Sequence, residues 1–220
     1  MHHWNIYPNI ESASFAAADC IAEKITQSIN ATGRCNVALP GGNTPGLCLQ
    51  QLAKKDIKWN KVHWYLGDER CYPRDHEERN DVMLRRVLWS HLKDTNIHVT
   101  SAELGAEEAA ELYSKEIKDI ESFDVVFLGI GEDGHTASLF PGNIALKDFR
   151  TVVPVFNSPK PPDQRISLSV GMLQKASLRV VLATGSSKAK IIEKIKLGDV
   201  LPINIIGDLD WFVDEAAVSK

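Results

Sequence analysis

Residues 129–142 (GIGEDGHTASLFPG) combine the side chains and glycines best suited to chemistry. They follow the most apolar stretch of the chain, and glycines surround the acidic residues and His135. We expect His135 to begin a short helical turn, where the backbone dipole disfavours imidazolium and leaves a neutral ring that accepts a proton. A carboxylate would orient that ring, and Asp68, Glu69 and Asp133 remain alternatives for this partner. A lone histidine is more often structural, but the glycine density and the strand-end position favour a general base.

Residues 40–45 (PGGNTP) join a short apolar run to the predicted start of a helix. Gly41 and Gly42 allow backbone N–H groups to face a ligand without obstruction by a Cβ atom, and the helix adds unpaired N–H groups. Asn43 and Thr44 complete the loop, and Thr44 is the expected helix N-cap. By itself, the segment could equally be a turn that needs glycine only for its backbone geometry. It indicates a phosphate site only if other groups of the protein also bind the phosphate. It is neither a Walker A loop nor a GxGxxG motif, so nucleotide binding is not indicated.

Charged residues beside three predicted strands are candidates for binding the same ligand. Arg165 and Lys188 would supply the fixed cations that a phosphate requires, although a single basic residue is usually a solvated surface charge. In the GDER segment, Asp68 and Glu69 are adjacent, so we expect one to face a cleft and the other to brace a neighbour. Arg70 is suited to bidentate binding of a carboxylate or an anionic ligand.

The elements that must position these groups alternate between helical and extended patterns. Apolar residues at three- and four-residue steps, together with start and stop signals, predict helices at 15–29 (ended by Gly33), 45–52, 81–92, 106–120 and 186–195. Short apolar runs predict strands at 35–39, 62–66, 124–130, 151–156, 166–170, 178–183 and 203–206. Continuous apolar strands imply burial on both faces, so we expect an α/β fold: a three-layer α/β/α sandwich with a mainly parallel, Rossmann-like sheet. Ligands of such sheets bind beyond the carboxyl ends of the strands.

The composition excludes several function classes. The chain has 220 residues, and we expect one domain spanning residues 1–220. Its 29 acidic and 25 basic residues give a net charge of −4, which argues against a nucleic-acid partner and against a polybasic membrane-surface protein. No secretory signal or membrane-spanning run is recognisable, so we expect a cytoplasmic protein. The four cysteines show no metal-ligand spacing, and we expect no metal site.

The GIGEDGHTASLFPG segment resembles the signature of the 6-phosphogluconolactonase family. The PGGNTP, GDER and GSSKA segments occur in that family's order and spacing, so the resemblance spans nearly the whole chain. It implies a Rossmann-like fold and hydrolysis of 6-phosphoglucono-1,5-lactone to 6-phosphogluconate in the pentose phosphate pathway, with no cofactor. The partner implied is this small sugar phosphate lactone, and the oligomeric state stays open.

The resemblance also implies roles for individual residues. His135 is the implied general base and Arg70 a residue of the substrate cleft, with Asp68 and Glu69 as further catalytic candidates. Gly41, Gly42, Arg165 and Lys188 match the family's phosphate-contacting segments. From their place in the same motifs, we also expect Asn43, Thr44, Asp133 and Gly134 to bind substrate. Asn43 stands where many relatives carry serine, and its amide can still donate to a phosphate oxygen.

The main alternative is an amino-sugar phosphate deaminase or isomerase, which shares the fold, the glycine loop and a Gly-Asp-Gly-His segment. That chemistry needs a carboxylate base in the region of Asp68, which is present. Such relatives carry an acidic residue shortly after the histidine, whereas His135 is followed by Thr-Ala-Ser-Leu-Phe-Pro. The missing acid favours the lactonase.

The second alternative, from another class, is a non-catalytic sugar-phosphate sensor. Sensors of this kind join the domain to a DNA-binding helix-turn-helix, and the lactonase-like pattern leaves no room for one within 220 residues. The acidic charge balance agrees with the absence of a DNA-binding domain.

Overall fold

The computed structural model describes residues 2–219, which form ten strands and seven α-helices. The strands are β1 (His2–Tyr7), β2 (Cys35–Leu39), β3 (Val62–Leu66), β4 (Asp68–Arg70), β5 (Asn96–Ile97), β6 (Val125–Leu128), β7 (Val152–Val155), β8 (Arg165–Leu168), β9 (Leu178–Ala183) and β10 (Leu209–Asp214). The helices are α1 (Ile10–Thr32), α2 (Gly46–Leu52), α3 (Asn80–Val87), α4 (Ala106–Glu116), α5 (Val170–Gln174), α6 (Ala189–Leu197) and α7 (Glu215–Val218).

Seven strands form one parallel sheet in the order β1-β10-β9-β6-β2-β3-β5. Alternate residues of a strand point to opposite faces, and both faces of this sheet are buried. Val125 and Phe127 pack with α1, α2 and α3, whereas Val126 and Leu128 pack with α4, α5, α6 and α7. The predicted α/β fold with a parallel sheet between helical layers is therefore confirmed.

A second, antiparallel sheet of three strands in the order β4-β8-β7 stands beside the first. The strands predicted at 151–156 and 166–170 lie here as β7 and β8, outside the parallel sheet. No strand was predicted for Asp68, Glu69 and Arg70, but these residues form β4 and pair with β8. This pairing fixes their backbone, so that neighbouring side chains point in opposite directions.

The predicted strand at 203–206 is wrong, because these residues form a 3₁₀ helix at Pro202–Ile205. Pro202 at its first turn has no N–H to donate to a sheet, and the turn buries Ile203 while Ile205 stays 38% exposed. The place in the sheet is taken by β10, which lies between β1 and β9. Neither β1 nor β10 was predicted, and β1 lacks a continuous apolar run because it lies at the sheet edge.

Most helix boundaries differ from the predictions by a few residues. α1 begins at a capping box formed by Asn9 and Ser12, and Gly33 ends it with a φ of 81°, as expected. Thr44 is not the cap of α2: the helix begins at Gly46, and its N-cap Pro45 makes no side-chain hydrogen bond. The first residues predicted for α6 form a separate 3₁₀ turn at Ser186–Lys188.

The chain reverses its direction of travel across the sheet between β2 and β6. From β2 it continues to β3 and β5, then returns to β6 on the other side of β2 and proceeds to β9 and β10. The connections that follow β2 and β6 leave these neighbouring strands in opposite directions. A crevice therefore opens between them at the carboxyl ends of the strands. Within the residues described, no helix has the length and apolar composition needed to cross a membrane.

Candidate active site

A cleft of about 220 Å³ opens at this crevice. A water molecule in the liquid occupies about 30 Å³, so the cleft has room for one small organic molecule. Its walls come mainly from segments that follow β2, β3, β6 and β9, and they are completed by the start of α3, the loop after β7 and the start of β8. They comprise residues 40–45, Asp68, Arg70, Asn80, residues 129–131, residues 135–137, Lys160, Arg165, Leu182 and Lys188.

His135 lines the cleft, and Asp133 lies behind it. The Nδ1 atom of the imidazole is 2.5 Å from Oδ1 of Asp133, and the same oxygen accepts the backbone N–H of His135. Of the three carboxylates that were open as the orienting partner, the structure brings Asp133 to the ring. A neutral imidazole that donates from Nδ1 to a carboxylate keeps its lone pair on Nε2, which is the arrangement of a general base.

The neutral state of His135 has a different cause from the one expected. No helix follows it; a tight turn closed between Thr136 and Leu139 does, so the expected helical turn is wrong. Burial lowers the pKa of His135 from its usual value, more than the hydrogen bond and charge of Asp133 raise it. Burial raises the pKa of Asp133, but the hydrogen bonds and charge of His135, together with the charge of Lys160, outweigh this and lower that pKa overall. Both shifts favour neutral imidazole beside ionised carboxylate.

Because Gly131 has no side chain, it leaves the space that the His135–Asp133 pair occupies. A Cβ atom on Gly131 would lie 2.0 Å from Nδ1 of His135 and 2.5 Å from Oδ1 of Asp133. The backbone N–H of Gly131 donates to the carbonyl of His135 at 2.8 Å, which closes the loop around the ring. Gly134, expected at the substrate, lies outside the cleft wall; its φ of 85° turns the chain, and it packs against Leu201. The ring of His135 also contacts Phe140, with centroids 4.6 Å apart.

Asp68 and Glu69 are successive residues of β4, so their side chains point in opposite directions. Asp68 lines the cleft and accepts a 2.5 Å hydrogen bond from the hydroxyl of Ser138. Glu69 is fully buried on the other side and accepts three backbone N–H groups, from Arg70, Asn80 and Asp81. Burial raises the pKa of Glu69 to about 8, although the three N–H groups oppose this. The structure thus places Glu69 behind the cleft.

Asn80 is a cleft residue that sequence analysis missed. It is 1% exposed, and its amide donates to the carbonyl and carboxylate oxygens of Asp68. Its side chain packs so closely on Gly41 that a Cβ atom there would lie 1.8 Å from Oδ1. Gly41 must therefore be glycine, and Gly42 has a φ of 87° that favours glycine. Asn80 carried no signal in the sequence, because it reaches the cleft only through the packing of α3 on β4.

The cleft contains four basic side chains, three of which were predicted. Lys188 donates to the carbonyl of Ile130 at 2.9 Å. Arg70 donates through Nη1 to Glu78, and its Nε is buried without a partner. Arg165 is almost fully buried and donates through Nη2 to two backbone carbonyls.

The fourth cation is Lys160, in the proline-rich segment 157–163. The three prolines of this segment exclude regular secondary structure and predict a surface loop, which is the available sequence signal for Lys160.

The arrangement combines a base with an anion-binding wall. Glycine backbone and several cations surround a space that a neutral imidazole also faces, so an anionic substrate and a water molecule can be held together. Within residues 2–219 no group of three His, Cys, Asp or Glu side chains is arranged to hold a metal ion.

Comparison with known proteins places this site in a family context. The sequence profile described as glucosamine-6-phosphate isomerases/6-phosphogluconolactonase matches residues 8–211. A 6-phosphogluconolactonase of a Synechocystis strain is 32% identical over 90% of this chain and 89% of its own. The human 6-phosphogluconolactonase is 32% identical over 97% of this chain and 91% of its own. A crystal structure of the Thermotoga maritima 6-phosphogluconolactonase superposes with a TM-score of 0.91 at 27% identity, covering 98% of this chain and all of that one.

Proposed function

The chain belongs to the glucosamine-6-phosphate isomerase/6-phosphogluconolactonase family, and we propose that it hydrolyses 6-phosphoglucono-1,5-lactone to 6-phosphogluconate in the pentose phosphate pathway. The observation that carries this proposal is the neutral imidazole of His135, held by Asp133 in a cleft whose other wall is a glycine loop with cations. The near-full-length likeness to lactonases from a bacterium and from humans supports it.

The substrate phosphate docks first, against the loop at 40–45. Backbone N–H groups of Gly41 and Gly42, with the side chains of Asn43 and Thr44, face its oxygens. Lys188 adds a charge, and Arg165 adds the Nη1 end of its guanidinium, which lies 3.5 Å from Ser138. Charge-assisted hydrogen bonds of this kind contribute about 1.5–3 kcal/mol each, so the phosphate anchors the lactone ring.

His135 then activates water. Its Nε2 removes a proton from a water molecule as the oxygen attacks the carbonyl carbon C1, and Asp133 stabilises the imidazolium that forms. The carbonyl oxygen becomes an oxyanion, and Arg70 at the cleft wall is a donor for it. Asp68 keeps the site aligned through Ser138 and Asn80.

Collapse of the tetrahedral intermediate completes the reaction. The oxyanion re-forms the C=O bond, the bond between C1 and the ring oxygen breaks, and the ring oxygen takes the proton from His135. The C5 hydroxyl and the carboxylic acid of the open product result, and the imidazole is neutral again. A lactone is an activated ester, so positioning and general-base assistance of about 10²–10⁴-fold are sufficient.

The test presents freshly generated 6-phosphogluconolactone and, in parallel, glucosamine 6-phosphate. We expect acid release from the lactone above the spontaneous rate and no ammonia from the amino sugar. The His135→Ala variant should lose about 10²–10⁴-fold in turnover at saturating lactone, because it lacks the base. Ammonia release would assign the deaminase reaction instead, and near-normal turnover by His135→Ala would contradict the general-base role.

Two broader features belong to the same proposal. A single domain that acts on a small soluble sugar phosphate is consistent with a cytoplasmic enzyme. The net charge of −4 does not favour binding to nucleic acid or to anionic membranes. The steering of an anionic substrate then depends on the local cations of the cleft.

A further inference from the structure

Lys160 lines the cleft and lies in a turn whose backbone is fixed by several hydrogen bonds. Proline residues flank it on both sides, and the hydroxyl of Ser158 donates to its carbonyl at 2.7 Å. The same carbonyl accepts Nη2 of the buried Arg165 at 3.2 Å, and Arg165 also donates to the carbonyl of Pro161 at 2.8 Å. A buried arginine that fixes this backbone places the start of the lysine side chain in one position.

The ammonium group of Lys160 lies at the His135 end of the cleft. Its Nζ is 4.0 Å from Oδ1 of Asp133, the oxygen that also holds the imidazole. The side chain is 47% exposed, so the group can move a short distance toward a ligand. Lys160 is thus a positive charge beside the His135–Asp133 pair.

Among the described residues, no donor of the Lys160 ammonium is engaged in a hydrogen bond, whereas each of the other cleft cations has at least one committed donor, although Nε of Arg70 is also without a partner. Arg165 is committed to backbone carbonyls through Nη2, and Arg70 is committed to Glu78 through Nη1. Lys188 donates to Ile130. In the described part of the chain Lys160 makes no hydrogen bond through Nζ, and the 4.0 Å contact with Asp133 is too long for one.

We propose that Lys160 is a catalytic residue that donates to the oxyanion formed on the carbonyl oxygen when water attacks the lactone. This inference rests on the proposed function. As the C1 carbonyl gains an electron pair on oxygen, the ammonium approaches that oxygen and stabilises its charge, keeping its own protons throughout. The stabilisation acts in the transition state and much less on the neutral carbonyl of the substrate, so it appears in kcat.

The experiment compares Lys160→Met and Lys160→Arg with the native chain on freshly generated lactone. The charge of Lys160 lowers the pKa of His135, so its removal raises that pKa. Rates are therefore taken at a pH where neither the native rate nor the variant's rate changes any longer, so that protonation of His135 does not enter. We expect kcat of Lys160→Met to fall about 100-fold, the lower end of the range for losing one oxyanion donor, with KM changed less than about threefold. Lys160→Arg keeps the charge and should recover most of kcat.

Two further variants serve as controls, one for a cation that binds phosphate and one for a lysine outside the cleft. Lys188→Met should chiefly raise KM, because a phosphate anchor binds substrate and transition state alike. Lys118→Met removes an exposed lysine outside the cleft and should match the native enzyme. Circular dichroism and thermal unfolding establish that each variant is folded, and Lys160→Gln replaces Lys160→Met if that variant is not.

The outcomes separate this inference from the proposed function. If the native chain fails to accelerate lactone hydrolysis, both fall together. If the native chain is active but Lys160→Met keeps its kcat, or raises only KM as Lys188→Met does, Lys160 does not contact the oxyanion and only this inference is overturned. An arginine variant as impaired as the methionine variant would also overturn it, because positive charge would then not be the requirement.

Discussion

His135 and Asp133 form a hydrogen-bonded pair whose protonation is decided by burial. A buried imidazole loses hydration as a cation, and this lowers the pKa of His135 below its ordinary value even beside a carboxylate. The pair is therefore a neutral imidazole beside an ionised carboxylate, which is the state that the proposed reaction requires. Because the base must be unprotonated, the acid limb of the rate profile should lie below pH 6.5, the usual pKa of histidine.

The Asp133→Asn variant tests this electrostatic relation. The carboxylate raises the pKa of His135, so its removal should lower that pKa further and move the acid limb of kcat/KM to lower pH. The plateau rate should fall about 10- to 100-fold, because the amide does not stabilise the imidazolium or select the tautomer as well. The measurement is the pH dependence of initial rates, corrected for spontaneous hydrolysis. A lower plateau with an unmoved limb would mean that Asp133 acts on loop structure alone.

At the level of secondary structure, the strands and the short loops that follow them position the side chains of the cleft. The loop after β6 makes two backbone hydrogen bonds within residues 131–135, which fold it around the imidazole. β4 places Asp68 toward the cleft and Glu69 away from it, because successive residues of a strand alternate. The packing of Asn80 on Gly41 connects the start of α3 to the glycine loop.

Gly131→Ala tests the fit of the loop after β6. Its Cβ would overlap Nδ1 of His135, so the ring and Asp133 must both move. We expect a loss of about 1–3 kcal/mol in the free energy of unfolding, typical of overpacking, together with a fall in kcat of at least tenfold. Urea unfolding and turnover of the same preparation measure both.

Gly171→Ala is the matched control. It adds the same methyl group within α5, where the nearest atom is Oγ of Ser169 at 3.9 Å, an ordinary contact. Alanine is also favoured over glycine in a helix. If both alanine variants lose turnover equally, the collision with His135 is not the cause.

The whole molecule carries a buried carboxyl at the junction of the small sheet and α3. Burial holds the pKa of Glu69 near 8 in the folded state, against 4.5 as the ordinary value. The folded chain therefore keeps a proton that the unfolded chain releases. This contribution to stability is complete below pH 4.5 and is lost as the pH rises through 8.

Glu69→Gln should weaken the pH dependence of stability between pH 6.5 and 8.5. In this window we expect the free energy of unfolding of the native chain to fall by on the order of 1 kcal/mol per pH unit, and the variant to fall less. Denaturant unfolding at several pH values measures the slope, with Glu121→Gln, an exposed glutamate, as the control. A slope for Glu69→Gln equal to that of the native chain would place the proton elsewhere.

Local patterns in the sequence determined much of this protein. Continuous apolar runs predicted the central strands β2, β3, β6 and β9, and the glycine-rich segments after them marked the cleft. These features depend on neighbouring residues, because strand burial and loop conformation are reflected in the types of residues close together in the chain. The position of His135 at the cleft was predicted on the same basis, although the helical turn expected to keep its ring neutral does not form.

Only the tertiary structure decided which groups meet. Asp133, rather than Asp68 or Glu69, orients His135 because the loop after β6 folds back and β4 directs the other two elsewhere. Asn80 and Lys160 enter the cleft through packing on segments far away in the chain. The position of β10 between β1 and β9 was likewise invisible, since β1 is separated from it by almost the whole sequence. Such contacts depend on how distant segments pack in three dimensions, which no local pattern of residue types encodes.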